Sequence, residues 1–142
     1  MEIICDTSFL MVLCYEPVKN IDYLDSKFGK TIFLIHPRII KELTQIKHSG
    51  KIKRSKIANL ALEVTNKEIE NKNFKYISDK EDNNLLYTVD SHLLTLSLQN
   101  KCPLATIDKI LMKRALRRGA DIVTLKNNKI IFVHSNIKSN QI

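Results

Sequence analysis

Six short apolar runs, at residues 2–5, 31–35, 75–77, 103–106, 121–125 and 129–133, alternate with amphipathic stretches along the chain. Few architectures accommodate that rhythm. Strands separated by helices predict an α/β sandwich around a mainly parallel sheet. Helices are expected over residues 8–15 and 21–28, and from Pro37 onward, where proline suits a first turn and Ile39, Ile40, Leu43 and Ile46 share one face. The longest is expected over 54–70, its apolar stripe formed by Ile57, Leu60, Ala61, Val64 and Glu68. Two more are expected over 90–100 and 108–118, the second closed by Gly119. Asn127-Asn128 predicts a hairpin, since Asn tolerates positive φ. The acidic run at 79–82 reads as an exposed loop and the polar tail at 135–141 as a fraying end.

A length of 142 residues with 44% hydrophobic content suits one domain, assigned to residues 1–134 and followed by the tail at 135–142. With three glycines, Gly29, Gly50 and Gly119, neither a G-x-G-x-x-G dinucleotide turn nor a Walker loop can be written. The longest apolar runs fall far short of the roughly 20 residues a spanning helix needs, and Met1-Glu2-Ile3-Ile4-Cys5-Asp6 lacks the basic start of a secretory signal. A cytoplasmic protein without a membrane anchor is expected. Cys5, Cys14 and Cys102 are far apart, without C-x-x-C pairing, and read as reduced thiols rather than a zinc site. His36, His48, His92 and His134 are scattered and have no nucleophile beside them, so they read as structural or surface groups.

Four carboxylates stand out. Asp6 directly follows the first apolar run and Asp108 comes two residues after the fourth, so both fall at strand carboxyl ends, where open parallel sheets bind ligands. Helical spacing puts Asp90 between Leu93 and Leu94 on the buried face, in the first turn, and Glu42 on the flank of the Ile39/Leu43/Ile46 stripe. Helix capping could account for Asp90 and Asp108, but not for Asp6 or Glu42. If all four converge, each pair about 4 Å apart repels by roughly 4 kcal/mol at an effective dielectric of about 20, and a cation is required. Oxygen-only donors suit Mg²⁺ or Mn²⁺, and such a cage suits phosphodiester hydrolysis. Ser8 and Thr106 are placed to orient Asp6 and Asp108.

The formal charge of +8 is local. Residues 41–56 and 109–118 together hold eleven basic side chains against one acid, and the remainder of the chain is slightly acidic. Lys47, Lys51, Lys53 and Arg54 follow Glu42, and Lys109, Lys113, Arg114 and Arg117 follow Asp108. A polyanion drawn to these runs is led toward the carboxylates, which favours nucleic acid as ligand.

Asp6-Thr7-Ser8-Phe9-Leu10, Pro37-x-x-Ile40-x-Glu42-Leu43, Asp90-x-x-Leu93-Leu94 and Ala105-Thr106-Ile107-Asp108, in this order, resemble the four motifs of the PIN-domain nucleases over nearly the whole chain. The resemblance implies a three-layer α/β/α fold and a Mg²⁺- or Mn²⁺-dependent endoribonuclease acting on single-stranded RNA or structured loops, with Asp6, Glu42, Asp90 and Asp108 as metal-binding and catalytic acids. The basic segment after Asp108 looks more like the ribosomal-RNA-processing branch than like VapC-type toxins of toxin–antitoxin pairs. A homodimer, an antitoxin or a pre-ribosomal particle are the partners the resemblance brings into view. Many members carry a further acid where this chain has Ile110 and Leu111, and that departure motivates a rival reading as a non-catalytic RNA-binding or ribosome-assembly module. A phospho-accepting receiver domain would want paired acids after the first strand, whereas Asp6 is flanked by Cys5 and Thr7.

Overall fold

The computed structural model describes residues 1–78 and 87–137. Its elements follow the order β1 (Glu2–Cys5), α1 (Thr7–Tyr15), α2 (Asp22–Phe28), β2 (Ile32–Ile35), α3 (Pro37–Ser49), α4 (Ile52–Glu70), β3 (Phe74–Tyr76), α5 (Val89–Asn100), β4 (Leu104–Ala105), α6 (Lys109–Arg117), β5 (Ile122–Lys126) and β6 (Lys129–Val133). The expected run at 79–82 and residues 138–141 of the expected tail lie outside the described residues; Ser135, expected to fray, is instead buried, with its N–H donating to Asp121 Oδ1 at 2.9 Å and its Oγ to Leu116 O at 2.7 Å.

The six strands form one sheet in the order β3-β2-β1-β4-β5-β6, parallel except for the β5–β6 pair. β1 is central, and Ile3, Ile4 and Cys5 are fully buried, as expected of a parallel strand covered on both faces. Helices α1, α3 and α4 pack together, while α5 lies against β1 and β4 and α6 against β5. The result is a three-layer α/β/α sandwich. Strands β1 to β3 build outward to one side and β4 to β6 to the other, so the topology reverses between β1 and β4. In an open α/β sheet the crevice at that reversal is where ligands bind.

Local signals explain the element ends. Asn127 and Asn128 both have positive φ (54° and 63°) and join Lys126 to Lys129 in a two-residue turn, whose left-handed residues match the strand twist. Gly119 (φ 93°) follows α6, with Gly119 N–H bonded to Leu116 O and Ala120 N–H to Ala115 O. That is the paired bonding of a Schellman stop. No helix among the described residues is long and apolar enough to cross a membrane.

Helix α4 departs from expectation on two counts. It begins at Ile52, two residues earlier than the pattern suggests. Of the expected stripe Ala61 is buried, whereas Leu60 is exposed and Ile57, Val64 and Glu68 are half-buried; Ala58 and Thr65 complete the buried face. The cause is close packing: α4 lies against both α3 and α1, and small side chains on the contact face let the axes approach, moving the larger residues to the flanks. Ala58→Leu or Ala61→Leu is therefore expected to destabilise the protein by about 1–3 kcal/mol through overpacking. Leu60→Gln is expected to change stability by less than about 0.5 kcal/mol. Urea unfolding midpoints at unchanged slope would check both.

Candidate active site

The site starts from the end of the central strand. The chain turns from β1 directly into α1 with Asp6 as the N-cap, and the residue is 4% exposed. Asp6 Oδ1 accepts hydrogen bonds from the Phe9 backbone N–H at 2.8 Å and from Ser8 Oγ at 2.9 Å. Its Oδ2 accepts a short bond from Thr106 Oγ1. Thr106, fully buried just beyond β4, also accepts the Asp108 backbone N–H at 3.0 Å. Asp108 caps α6 through Oδ1, which accepts from Ile110 N–H at 2.9 Å and Leu111 N–H at 3.2 Å. One hydroxyl thus links the carboxylate after β1 to the backbone that positions the carboxylate after β4.

The other two acids come from helices that begin at the same edge. Glu42 lies in α3 and is half-buried. Asp90 lies in the first turn of α5, whose N-cap is Thr88, with Thr88 Oγ1 accepting the Ser91 N–H at 3.2 Å. One expectation is corrected here. Capping explains Asp6 and Asp108 and does not explain Asp90, whose helix is capped by Thr88. Leu93 and Leu94 are buried, while Asp90, in the first turn, is exposed and lines the pocket at this edge.

All four carboxylates line a single pocket of about 180 Å³, together with Thr7, Ser8 and Arg54. The charges interact. Burial pushes the Asp6 carboxyl up to about 6, opposed by the bonds from Thr106, Phe9 and Ser8 and reinforced by the nearby Asp90. Asp90 is likewise raised, by partial desolvation and then by Asp108 and Glu42, with Arg114 pulling the other way. Mutual repulsion of carboxylates in a confined space is the setting a hard cation relieves, and oxygen donors alone suit Mg²⁺ or Mn²⁺ chemistry. Thr7 also lines the pocket, and its Oγ1 is buried without a hydrogen-bond partner among the described residues. The donor set therefore fits a divalent ion. As the side chains stand, no group of three or more His, Cys, Asp or Glu among the described residues is gathered tightly enough to hold one.

Of the expected basic residues, Arg54 lines this pocket and Arg114 acts on Asp90. Lys47 lies in the last turn of α3, Lys51 is the N-cap of α4, and Lys53 and Arg54 lie in its first turn. Lys109, Lys113, Arg114 and Arg117 run along α6, and all eight side chains are exposed. Arg114 Nη2 donates to Ser91 Oγ at 2.7 Å, which ties α6 to α5 beside Asp90. Sequence reasoning missed Ser91, although Thr88-x-x-Ser91 is a legible capping pattern, and it did not foresee that Arg54 lines the acidic pocket itself. Cys5, Cys14 and Cys102 are free thiols. His36 and His92 are buried in edge-to-face contact, with Arg38 bonded to both, consistent with a structural role.

This architecture is the PIN-domain fold. The chain is similar to the PIN domain endonuclease Utp24, with a TM-score of 0.64 and 18% identity over 94% of this chain and 93% of that one. It is also similar to a domain of a functionally unknown protein from Methanocaldococcus jannaschii DSM 2661, with a TM-score of 0.62 and 16% identity over 88% of this chain and 91% of that one. No protein-family model and no curated protein matches the sequence. The likeness is one of backbone geometry.

The environment of Asp6 makes a stability prediction. Its carboxyl titrates near 6 in the folded protein against an ordinary 3.8, so the folded state holds the proton more tightly than the unfolded chain. Stability present at low pH is lost as pH rises through about 4 to 6. Asp6→Asn removes the charge at nearly unchanged volume, keeping one oxygen to accept from Phe9 N–H and Ser8 Oγ but losing the acceptor for Thr106 Oγ1, and the relieved charge penalty less that lost bond is expected to raise the unfolding free energy by about 1–2 kcal/mol at about pH 7. The gain should largely vanish near pH 4. Thermal unfolding of both proteins across this range would reveal it.

Proposed function

We propose that the protein is a divalent-cation-dependent endoribonuclease that hydrolyses phosphodiester bonds in single-stranded RNA. One observation carries the reading: four carboxylates, distant in sequence and supplied by four separate elements, line one pocket at the topological reversal of the sheet. Asp6 and Asp108 would be direct ligands of Mg²⁺ or Mn²⁺, with Glu42 and Asp90 completing the cage directly or through water. When bound, the ion supplies water activation and neutralises charge on the phosphoryl oxygens. The chain's own residues do the rest. Thr106 and Ser8 hold the Asp6 carboxylate in one orientation and Thr106 holds the Asp108 backbone, while Arg54 and the basic face of α6 hold the phosphates of the strand. The basic segment after Asp108 favours a ribosomal-RNA-processing role over a toxin.

A second reading has its own observation. Ile110, where a further acid would strengthen the cage, is 82% exposed, and a module that binds RNA without cutting it would retain the basic framing alone.

Labelled single-stranded RNA and DNA incubated with Mn²⁺ or Mg²⁺ would separate the readings. Cleavage of RNA is expected, abolished by chelation and reduced roughly 100-fold or more by Asp6→Asn or Asp108→Asn. Thr106→Val is expected to cost about 10-fold by releasing both acids. Equal cleavage by wild type and Asp6→Asn would remove the site assignment, and salt-sensitive binding without cleavage would support the non-catalytic reading. Mn²⁺ should also raise the melting temperature of the wild type and not that of Asp6→Asn.

A further inference from the structure

Beside the acidic pocket lies a second cleft of about 440 Å³. The two share Ser8, Arg54 and Ile107, so whatever leaves one pocket along this rim enters the other. The cleft is lined by Met11, Val12, Ile57 and Ile107, apolar side chains from α1, α4 and the turn before α6. Tyr15, the last residue of α1, completes the lining and is 49% exposed. Lys51, Lys53 and Arg54 supply three cations from the start of α4, against one acid, Glu16.

We propose that this cleft binds a nucleobase of the single-stranded RNA next to the scissile phosphate, with Tyr15 as the stacking platform and Lys51, Lys53 and Arg54 on the flanking phosphates. The inference rests on the nuclease reading and extends it. An apolar surface bearing one exposed aromatic ring and edged by cations is the combination that holds an unpaired nucleotide: the ring takes the base face and the cations take the backbone. Continuity with the carboxylates places that nucleotide adjacent to the cleavage point. A second copy of the chain is the competing occupant of an apolar cleft. If this patch met itself across a two-fold axis, three cations against one acid, Glu16, on each copy would leave an excess of like charge opposing the contact.

The test uses the full chain carrying Asp6→Asn, to prevent cleavage, and a single-stranded oligoribonucleotide with 2-aminopurine placed at successive positions. At one position the fluorescence should be quenched on binding. Quenching should persist in Tyr15→Phe and be lost in Tyr15→Ala, with affinity falling roughly ten-fold. The double variant Lys51→Gln/Lys53→Gln should lower the slope of log affinity against log salt by about 1.4. In the chain with Asp6 intact, Tyr15→Ala should raise KM with kcat nearly unchanged. Because Tyr15 is half exposed, these variants are expected to melt with the wild type. Undiminished binding, quenching and KM in Tyr15→Ala would overturn the subsite and leave the nuclease reading standing. A chain that neither binds nor cleaves RNA would overturn the nuclease reading itself. A dimer in sedimentation that Tyr15→Ala dissociates would assign the cleft to self-association and overturn the proposal.

Discussion

A carboxylate buried at the end of the central strand is the interaction on which the rest of this structure turns. Ionised Asp6 is disfavoured by its surroundings, and three hydrogen bonds, from Phe9, Ser8 and Thr106, hold it in place. Two of those bonds also do structural work elsewhere. The Phe9 bond starts α1, and the Thr106 hydroxyl joins β1 to β4 across the point where the sheet reverses. The same hydroxyl accepts the Asp108 N–H and so sets where α6 begins. Removing the carboxylate's charge relaxes the site, but removing its shape would disconnect two strands and two helices. The site is held by the sheet rather than by loops, and strand-end residues can be positioned more tightly than loop residues.

Topology then decides which other groups join it. The ends of β1 and β4 are neighbours only because the chain builds three strands outward before returning to the other side of β1. The beginnings of α3 and α5 are brought to the same edge, and with them Glu42 and Asp90. No short peptide could assemble this group. Its members are spread over about a hundred residues, and the packing of the apolar sheet between the helical layers offsets the free energy that opposes their approach.

Much of this was legible in the sequence for reasons that can be named. Strands β1 and β6 stand out because continuous apolar runs are bounded by charged or turn-forming residues, and Gly119 marks the end of α6 because only a residue tolerant of positive φ closes a helix that way. Helix α4 was misread where hydropathy and packing diverge. The large residues Ile57, Leu60 and Val64 form the more apolar stripe, but close contact between helices selects Ala58, Ala61 and Thr65. The capping roles were inverted for two of the acids. Asp6 caps α1 although it follows a strand without an intervening loop, and Asp90, which looks like a cap, leaves that role to Thr88. The place of Arg54 in the pocket could not be read from a basic run, since a count of charges carries no direction.

The distribution of charge completes the physical picture. A pocket of four carboxylates on its own repels a phosphodiester, and a basic surface on its own binds RNA anywhere along its length. Here the cations of α4 and α6 flank the acids closely enough that Arg54 lines the acidic pocket and Arg114 acts on Asp90. On the proposed nuclease reading, this arrangement gives the two charge signs separate tasks: the basic helices attract a polyanion, and the acidic pocket would admit a phosphate once a divalent cation had reversed its sign. Binding and chemistry would then be separable: lost cations on the helices would weaken capture of any strand, whereas a lost carboxylate would leave capture intact and remove the reversal of charge that hydrolysis requires.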